Sequence, residues 1–251
     1  MFDGLVDRYD LLNRLISLGL DGTWRRAAIR AVRPQPGDRV LDLGCGTGDL
    51  LALLAGCDGP PGAGESAQVL TSRTRLPQHR PAGTDGGAKA PAARVTAVGM
   101  DVSSQMLARA QARLGLRVGL VRGSAFRLPF TTDSFQGAVS AFVLRNLRDL
   151  EGAMAELARV LAPGARIALL DATEPRGLLR PAFDVYFRLA APALGALIGR
   201  RNAYEYLASS LAQIPPPAEM CRLLAAAGFT DCQAQPLTFG VVTLFTARLG
   251  R

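Results

Sequence analysis

The stretch Val40-Leu-Asp-Leu-Gly-Cys-Gly-Thr-Gly-Asp49 decides the fold class of this 251-residue chain. An apolar run typical of a short buried strand leads directly into glycines at positions 44, 46 and 48, and a helical pattern starts at Asp49. Glycine lets the backbone turn sharply and lets a ligand approach where a Cβ would block it. The pattern predicts a strand, a ligand-binding loop and a helix.

Outward from this loop, apolar runs and turn residues predict strands that alternate with helices. The predicted strands are 39–43, 95–100, 117–122, 138–142, 166–171, 229–235 and 238–248. The predicted helices are 5–18, 24–32, 49–56, 103–114, 150–161, 178–198, 203–211 and 218–227. Such alternation predicts an α/β fold, in which a mostly parallel sheet carries helices on both faces.

Residues 57–93 interrupt the alternation, because they are rich in Gly, Pro, Ala and Ser and lack apolar periodicity. Strand and helix patterns resume on both sides of them. We therefore expect a flexible surface insertion within a single domain that spans residues 1–251.

The composition excludes several classes of site. The four cysteines (Cys45, Cys57, Cys221 and Cys232) form no CxxC pair and His79 is the one histidine, so neither a zinc site nor a disulfide framework is expected. This cysteine usage favours a cytoplasmic protein. We expect no signal peptide, and no stretch of about twenty residues is apolar enough to span a membrane.

The net charge of +8 fits an anionic membrane surface, an acidic substrate or a nucleic acid. The arginines are scattered and are not interleaved with aromatic residues, so no nucleic-acid surface is predicted.

Two cofactor classes compete for the glycine loop. A dinucleotide loop has the spacing GxGxxG, with a pyrophosphate at the helix N-terminus. Here the third glycine, Gly48, comes one residue early, and Asp49 would repel a pyrophosphate. S-adenosylmethionine has no phosphate, and its sulfonium and amino groups are cationic. Asp42 and Asp49 therefore favour S-adenosylmethionine.

Two further segments are consistent with a nucleoside ligand. Asp101 ends the second predicted strand, where an acidic side chain can accept hydrogen bonds from both ribose hydroxyls. An acidic residue here could also cap the N-terminus of the helix that starts at Ser103, and this structural role is compatible with ribose binding. The loop that contains Ser124 and Ala125 follows the third strand and would flank the adenine, with Phe130 close by.

With these residues in place, the chain resembles the quinone-biosynthesis C-methyltransferases. The resemblance spans nearly the whole chain and is strongest in the N-terminal Tyr9–Asn13 motif and in the Leu-Arg-Asn motif at 144–146. The other matching segments are Phe2-Asp3, Leu18-Gly19, Trp24-Arg25, 41–50, 159–164, 204–210 and 227–229. It implies a Rossmann-like class I methyltransferase fold, with a seven-stranded, mostly parallel sheet and an antiparallel C-terminal strand.

The resemblance also implies the cofactor site. S-adenosylmethionine would be bound by Asp42, Gly44, Gly46, Thr47, Gly48, Asp101, Ser124, Ala125 and Ala141. Ala141 stands where the family usually has Ser, and Asp171 stands where it usually has Glu. No metal is needed.

The substrate implied by the resemblance is a reduced polyprenyl quinone precursor, either demethylmenaquinol or 2-polyprenyl-6-methoxy-1,4-benzoquinol. Our hypothesis is that Arg145 stabilises the phenolate, that Asn146 orients the substrate or the cofactor, and that Tyr9 caps the site. An N-terminal helical cap (1–36) and a helical cover (175–215) would shield the polyprenyl tail. Peripheral association with the inner face of the membrane and a homodimer are further expectations.

Four other functions remain open at this point. They are methylation of another small molecule, methylation of a nucleic-acid base, NAD-dependent oxidoreduction, and binding without catalysis. The glycine spacing argues against the oxidoreductase. No Asn/Asp-Pro-Pro-aromatic motif supports a base methyltransferase, whereas the Tyr9–Asn13 and Leu-Arg-Asn motifs favour the quinone-directed enzymes.

Overall fold

The computed structural model of the chain describes residues 19–56, 94–173, 175 and 214–250. Its helices are α1 (Asp21–Val32), α2 (Asp49–Leu54), α3 (Ser104–Leu114), α4 (Leu150–Val160) and α5 (Pro217–Ala226). Its strands are β1 (Arg39–Leu43), β2 (Thr96–Asp101), β3 (Gly119–Arg122), β4 (Phe135–Ala141), β5 (Leu161–Ala172), β6 (Phe229–Leu237) and β7 (Val242–Leu249). Single 3₁₀ turns cover Gly115–Arg117, Leu144–Asn146 and Thr238–Gly240.

The seven strands form one sheet in the order β3-β2-β1-β4-β5-β7-β6. Strands β1 to β5 pair in parallel, and β7 runs antiparallel to both β5 and β6. This topology confirms the predicted fold, including the antiparallel C-terminal strand. The chain passes from one side of β1 to the other between β3 and β4, so α2 and α4, which follow β1 and β4, lie on opposite faces of the sheet and leave a crevice at the carboxyl ends of the strands.

Helices cover both faces of the sheet and bury the apolar side chains between them and the strands. On one face, α1, α2 and α3 contribute Trp24, Leu51 and Ala110 to a core that includes Val40 and Leu170. On the other face, α4 and α5 bury their apolar sides against β4, β5 and β7. This burial of both faces explains why β1 and the end of β5 read as continuous apolar runs.

Most boundaries agree with the prediction to within three residues; β4, for example, starts at Phe135 instead of 138 and α1 at Asp21 instead of 24. Two strand starts were wrong by four or five residues, and both of these errors come from irregular backbone. Strand β5 starts at Leu161 instead of 166, because Leu161 pairs with Phe135 before the ladder shifts and resumes at Arg166 and Gly137. The predicted turn at Pro163-Gly164 is therefore a bend inside the strand. Strand β7 starts at Val242 instead of 238, because a 3₁₀ turn precedes it.

A disulfide joins Cys221 in α5 to Cys232 in β6, with the Cα atoms 5.6 Å apart. The sequence prediction missed it because the eleven-residue spacing matches no motif. The two cysteines meet only when β6 folds back along α5. None of the helices within the described residues is long and apolar enough to cross a membrane.

Several predictions concern residues outside the described ranges. These are the helices 5–18, 178–198 and 203–211, the insertion 57–93, nearly all of the cover 175–215, and Tyr9.

Candidate functional site

The glycine loop after β1 is held against the end of β2. The backbone N–H groups of Gly44 and Cys45 both donate to the Met100 carbonyl, at 2.8 and 3.0 Å. Gly44 has φ +70°, and a Cβ at this position would collide with the Val143 side chain in the loop after β4. A positive φ and a close neighbour together require glycine here. The loop after β1 is thereby packed directly on the loop after β4.

The other two glycines have different roles. Gly46, with φ +54°, has no atom within 4 Å of the place where a Cβ would lie, so the backbone there faces open space. Gly48 immediately precedes α2, and a Cβ there would collide with Leu114 of α3. Gly46 therefore leaves room for a ligand, whereas Gly48 permits two helices to pack closely.

The carboxylate of Asp101 joins the glycine loop to the start of α3. One oxygen accepts a hydrogen bond from the Gly46 N–H at 2.9 Å, and the other accepts one from the Ser103 N–H at 2.9 Å. Each carboxylate oxygen has a second lone pair for a ligand hydroxyl. Asp101 therefore holds the glycine loop in place and can still accept hydrogen bonds from ribose hydroxyls.

Asp42 is a buried carboxyl at the end of β1. It is only 1% exposed, and neither of its oxygens has a hydrogen-bond partner among the described residues. The pKa of Asp42 is raised to about 8, chiefly by burial; Arg25 opposes this rise, and nearby Asp101 and Asp49 add to it. A buried carboxyl without partners is costly unless a cationic ligand meets it. The ammonium group of S-adenosylmethionine fits this requirement.

A cavity of about 270 Å³ lies above these residues, at the carboxyl ends of the strands. Eight of the nine predicted cofactor residues line it: Asp42, Gly44, Gly46, Thr47, Asp101, Ser124, Ala125 and Ala141. Gly48 does not line it, in agreement with its packing against α3. Asn146 lines the cavity from the loop after β4, and its side chain donates to the Phe142 carbonyl at 3.4 Å.

Two residues that line the cavity, Arg25 and Phe142, were not predicted from the sequence as site residues. Phe142 has φ +62°, which is unusual for a bulky residue. Its ring lies 5.6 Å from the guanidinium of Arg25 and 5.5 Å from that of Arg145. The Trp24-Arg25 pair in the N-terminal motif was the available signal for Arg25, but only the fold shows that α1 reaches the cavity.

Arg145, which was predicted from the sequence to stabilise the phenolate, is buried beside the cavity and is not part of its lining. It is 5% exposed, and its Nη1 donates to Asp171 Oδ1 at 2.8 Å. The backbone N–H of Arg145 donates to Asp171 Oδ2 at 3.2 Å. The pKa of Asp171 is raised because burial outweighs the effect of this pair.

Comparison with known proteins identifies the family. The sequence model of the ubiE/COQ5 methyltransferase family matches residues 1–248. A demethylmenaquinone methyltransferase of Thermus thermophilus is 37% identical over 97% of both chains. A ubiquinone/menaquinone biosynthesis C-methyltransferase of Geobacter sulfurreducens is 32% identical over 100% of this chain and 87% of that relative.

Solved structures support the fold. A SAM-dependent methyltransferase from Thermotoga maritima has a TM-score of 0.60 at 14% identity and covers 98% of this chain and 97% of that one. One from Aquifex aeolicus has a TM-score of 0.56 at 16% identity and covers 90% and 89%. With the family match over nearly its whole length, the chain belongs to the ubiE/COQ5 methyltransferase family and is an S-adenosylmethionine-dependent enzyme.

Proposed function

We propose that this enzyme methylates a ring carbon of demethylmenaquinol to give menaquinol. The observation that carries the proposal is the name shared by two relatives that match nearly the whole chain. The Thermus thermophilus and Deinococcus radiodurans proteins, 37% and 35% identical, are both named demethylmenaquinone methyltransferase. The cavity beside the Leu-Arg-Asn turn supports the proposal, because it brings one of that motif's side chains next to the glycine loop.

The residues that would hold the cofactor follow from the geometry. Asp42 would meet the cationic amino group, Asp101 the ribose hydroxyls, and Ser124 and Ala125 the adenine. When bound, S-adenosylmethionine supplies an electrophilic methyl group on sulfur. The buried Asp42 carboxyl and the open space over Gly46 fit such a ligand.

The reaction requires deprotonation of the quinol, stabilisation of the resulting phenolate and orientation of the ring. The quinol ring carbon forms a bond to the methyl carbon while the methyl–sulfur bond breaks, and S-adenosylhomocysteine leaves. The ring carbon then loses its proton while the quinol oxygen, deprotonated before the transfer, regains one, so one proton is released net in each turnover. The quinol hydroxyl must be deprotonated to push electrons onto that carbon, so the site must stabilise a phenolate and orient the ring.

Asn146 would orient the ring, a role supported by its position in the lining of the cavity. Arg145, which does not line the cavity, would act on the phenolate either as a fixed positive charge or by holding the Leu144–Asn146 turn. Turnover of Arg145→Ala tests this role. We expect a large loss of turnover with unchanged affinity for S-adenosylhomocysteine, whereas wild-type turnover would refute a role for Arg145.

A benzoquinol is the second candidate substrate. It is favoured by the Geobacter sulfurreducens relative, whose name covers both ubiquinone and menaquinone biosynthesis. The decisive assay uses methyl-labelled S-adenosylmethionine with chemically reduced demethylmenaquinone, and in parallel with reduced 2-polyprenyl-6-methoxy-1,4-benzoquinone. Each oxidised quinone serves as the control, because it cannot form a phenolate.

We expect label in the reduced naphthoquinone at a kcat/KM well above that for the benzoquinol. Preference for the benzoquinol would select the second candidate. Labelling of neither compound would refute both substrates and leave the cofactor assignment intact.

Peripheral membrane association and a homodimer are also proposals. The net charge of +8 would draw the enzyme to anionic lipid, where its prenylated substrate resides. Flotation with anionic and neutral vesicles tests the first, with binding to anionic vesicles as the expected result. Sedimentation equilibrium measures the second.

A further inference from the structure

We propose that Arg25 recognises the carboxylate of the methionine part of S-adenosylmethionine. The inference rests on the cofactor assignment and is independent of the quinol. Arg25 lies in the first half of α1 and lines the same cavity as the glycine loop, Asp101 and Ser124.

The distribution of charged residues around the cavity supports this role for Arg25. Among the described residues that line the cavity, three are acidic (Asp42, Asp49 and Asp101), and Arg25 is the one basic residue. The cofactor carries a sulfonium, an ammonium and a carboxylate. The acidic residues suit the two cations but would repel the carboxylate, so Arg25 is the lining charge that attracts it.

The backbone of the glycine loop does not offer an equivalent set of donors. The N–H groups of Gly44 and Cys45 donate to the Met100 carbonyl, that of Gly46 to Asp101, and that of Gly48 to the Cys45 carbonyl. These four amides therefore stabilise the loop itself. For a carboxylate in the cavity, a guanidinium supplies both a positive charge and two parallel hydrogen bonds, which the backbone amides committed to the loop do not.

The guanidinium of Arg25 is fixed in place and keeps donors to spare. Its Nη2 lies 3.3 Å from Asp49 Oδ2, its Nε lies 3.9 Å from Asp21 Oδ2, and it sits over the ring of Phe142. The side chain is 12% exposed, and its buried Nε donates no hydrogen bond to any described residue. Contacts on its several sides reduce the entropy lost when it binds a ligand.

A purely structural role for Arg25 would be to neutralise Asp49, and the chain contains a control for that role. Arg113 on α3 pairs with the other oxygen of Asp49, but it does not line the cavity. Arg25→Met and Arg113→Met therefore each remove one partner of the same carboxylate, and only the first removes a charge from the cavity wall.

The test is calorimetric binding of three compounds to the full-length chain. S-adenosylhomocysteine carries the carboxylate, its decarboxylated analogue keeps the amine alone, and 5′-methylthioadenosine lacks both groups. We expect the wild type to prefer S-adenosylhomocysteine to the decarboxylated analogue by about tenfold to a hundredfold, the range for a charge-assisted hydrogen-bonded pair.

In Arg25→Met this preference should fall to about twofold or less, while Arg113→Met keeps it and Arg25→Lys restores part of it. Unchanged binding of 5′-methylthioadenosine to Arg25→Met would show that the variant is folded. A wild type that does not discriminate, or an Arg25→Met variant that keeps the full preference, would overturn the proposal. The measurement needs no quinol, so it stands whether or not demethylmenaquinol is the substrate.

Discussion

The carboxylate of Asp171 at the end of β5 is held by Arg145, through both its side chain and its backbone, and by the backbone N–H of Ala172, which donates to Oδ1 at 2.8 Å. Nη1 of Arg145 donates to Oδ1 at 2.8 Å, and the backbone N–H of Arg145 donates to Oδ2 at 3.2 Å. Both side chains are nearly inaccessible to solvent, at 5% and 0% exposed. The pair therefore anchors the Leu144–Asn146 turn to the sheet and fixes where Asn146 enters the cavity.

We predict strong coupling between these two residues in stability. Removing one partner leaves a buried charge without its counterion, which typically costs about 3–5 kcal/mol. Arg145→Met and Asp171→Leu should each lower the free energy of unfolding by this amount, and the double variant by much less than the sum. Urea unfolding of the four proteins measures the cycle, and additive losses would contradict the prediction.

The glycine loop provides a prediction with a matched pair. Gly44 and Gly46 both have positive φ, so alanine at either costs about 1–2 kcal/mol in backbone strain. Only Gly44→Ala also collides with Val143, which adds about 1–3 kcal/mol. Gly44→Ala should therefore unfold at a clearly lower temperature than Gly46→Ala, which should mainly weaken cofactor binding.

Thermal unfolding and S-adenosylhomocysteine titration separate the two effects. Val143→Ala should recover part of the stability lost in Gly44→Ala, because it removes the colliding methyl groups. Equal unfolding temperatures for the two alanine variants would show that Val143 yields without cost.

The disulfide between Cys221 and Cys232 should contribute to stability under oxidising conditions. It closes a loop of eleven residues between α5 and β6, which corresponds to about 3 kcal/mol in the chain-entropy description. We expect dithiothreitol to lower the unfolding temperature of the wild type and to leave that of Cys221→Ser/Cys232→Ser unchanged. An equal effect of reductant on both proteins would show that the bond does not stabilise the fold.

The sequence predicted the fold well because the decisive signals are local. Strand β1 was predicted at its observed bounds, since a short segment with apolar Val40, Leu41 and Leu43 leads straight into glycines. The boundaries of β5 and β7 were missed because a bulge and a 3₁₀ turn depend on which strand lies alongside. Local sequence does not record that pairing.

The same distinction applies to the site. The side chains at the carboxyl ends of β1 and β2 were predictable, because parallel strands present these ends at one edge. The roles of Arg25 and Arg145 were not, because each depends on a contact between distant parts of the chain. Arg25 meets Asp49 and Phe142 through the placement of α1, and Arg145 meets Asp171 across 26 residues.

The buried Asp42 predicts a pH dependence of the ligand-free protein. Its pKa is about 8 in the folded chain and ordinarily 3.8, so between these values the folded chain holds a proton that the unfolded chain has lost. Stability from this group is therefore fully present below pH 3.8 and is lost as the pH rises through 8. Between pH 5 and 7 we expect a loss of roughly 1 kcal/mol per pH unit.

Asp42→Asn removes the titrating group while keeping a similar shape. Its free energy of unfolding, measured with urea from pH 5 to 8, should decline less steeply than that of the wild type. Parallel pH profiles for the two proteins would contradict the raised pKa.

Cofactor binding should expel the proton from Asp42. At pH 7 a carboxyl with a pKa of about 8 is protonated in about nine-tenths of the molecules. An ammonium group beside it stabilises the carboxylate and lowers its pKa. Binding of S-adenosylhomocysteine should therefore release up to about 0.9 proton per site at pH 7. Calorimetry in buffers of different ionisation enthalpy measures this release, and Asp42→Asn should show none. Binding heats of the wild type that do not depend on the buffer would mean that Asp42 stays neutral and that the ammonium group lies elsewhere.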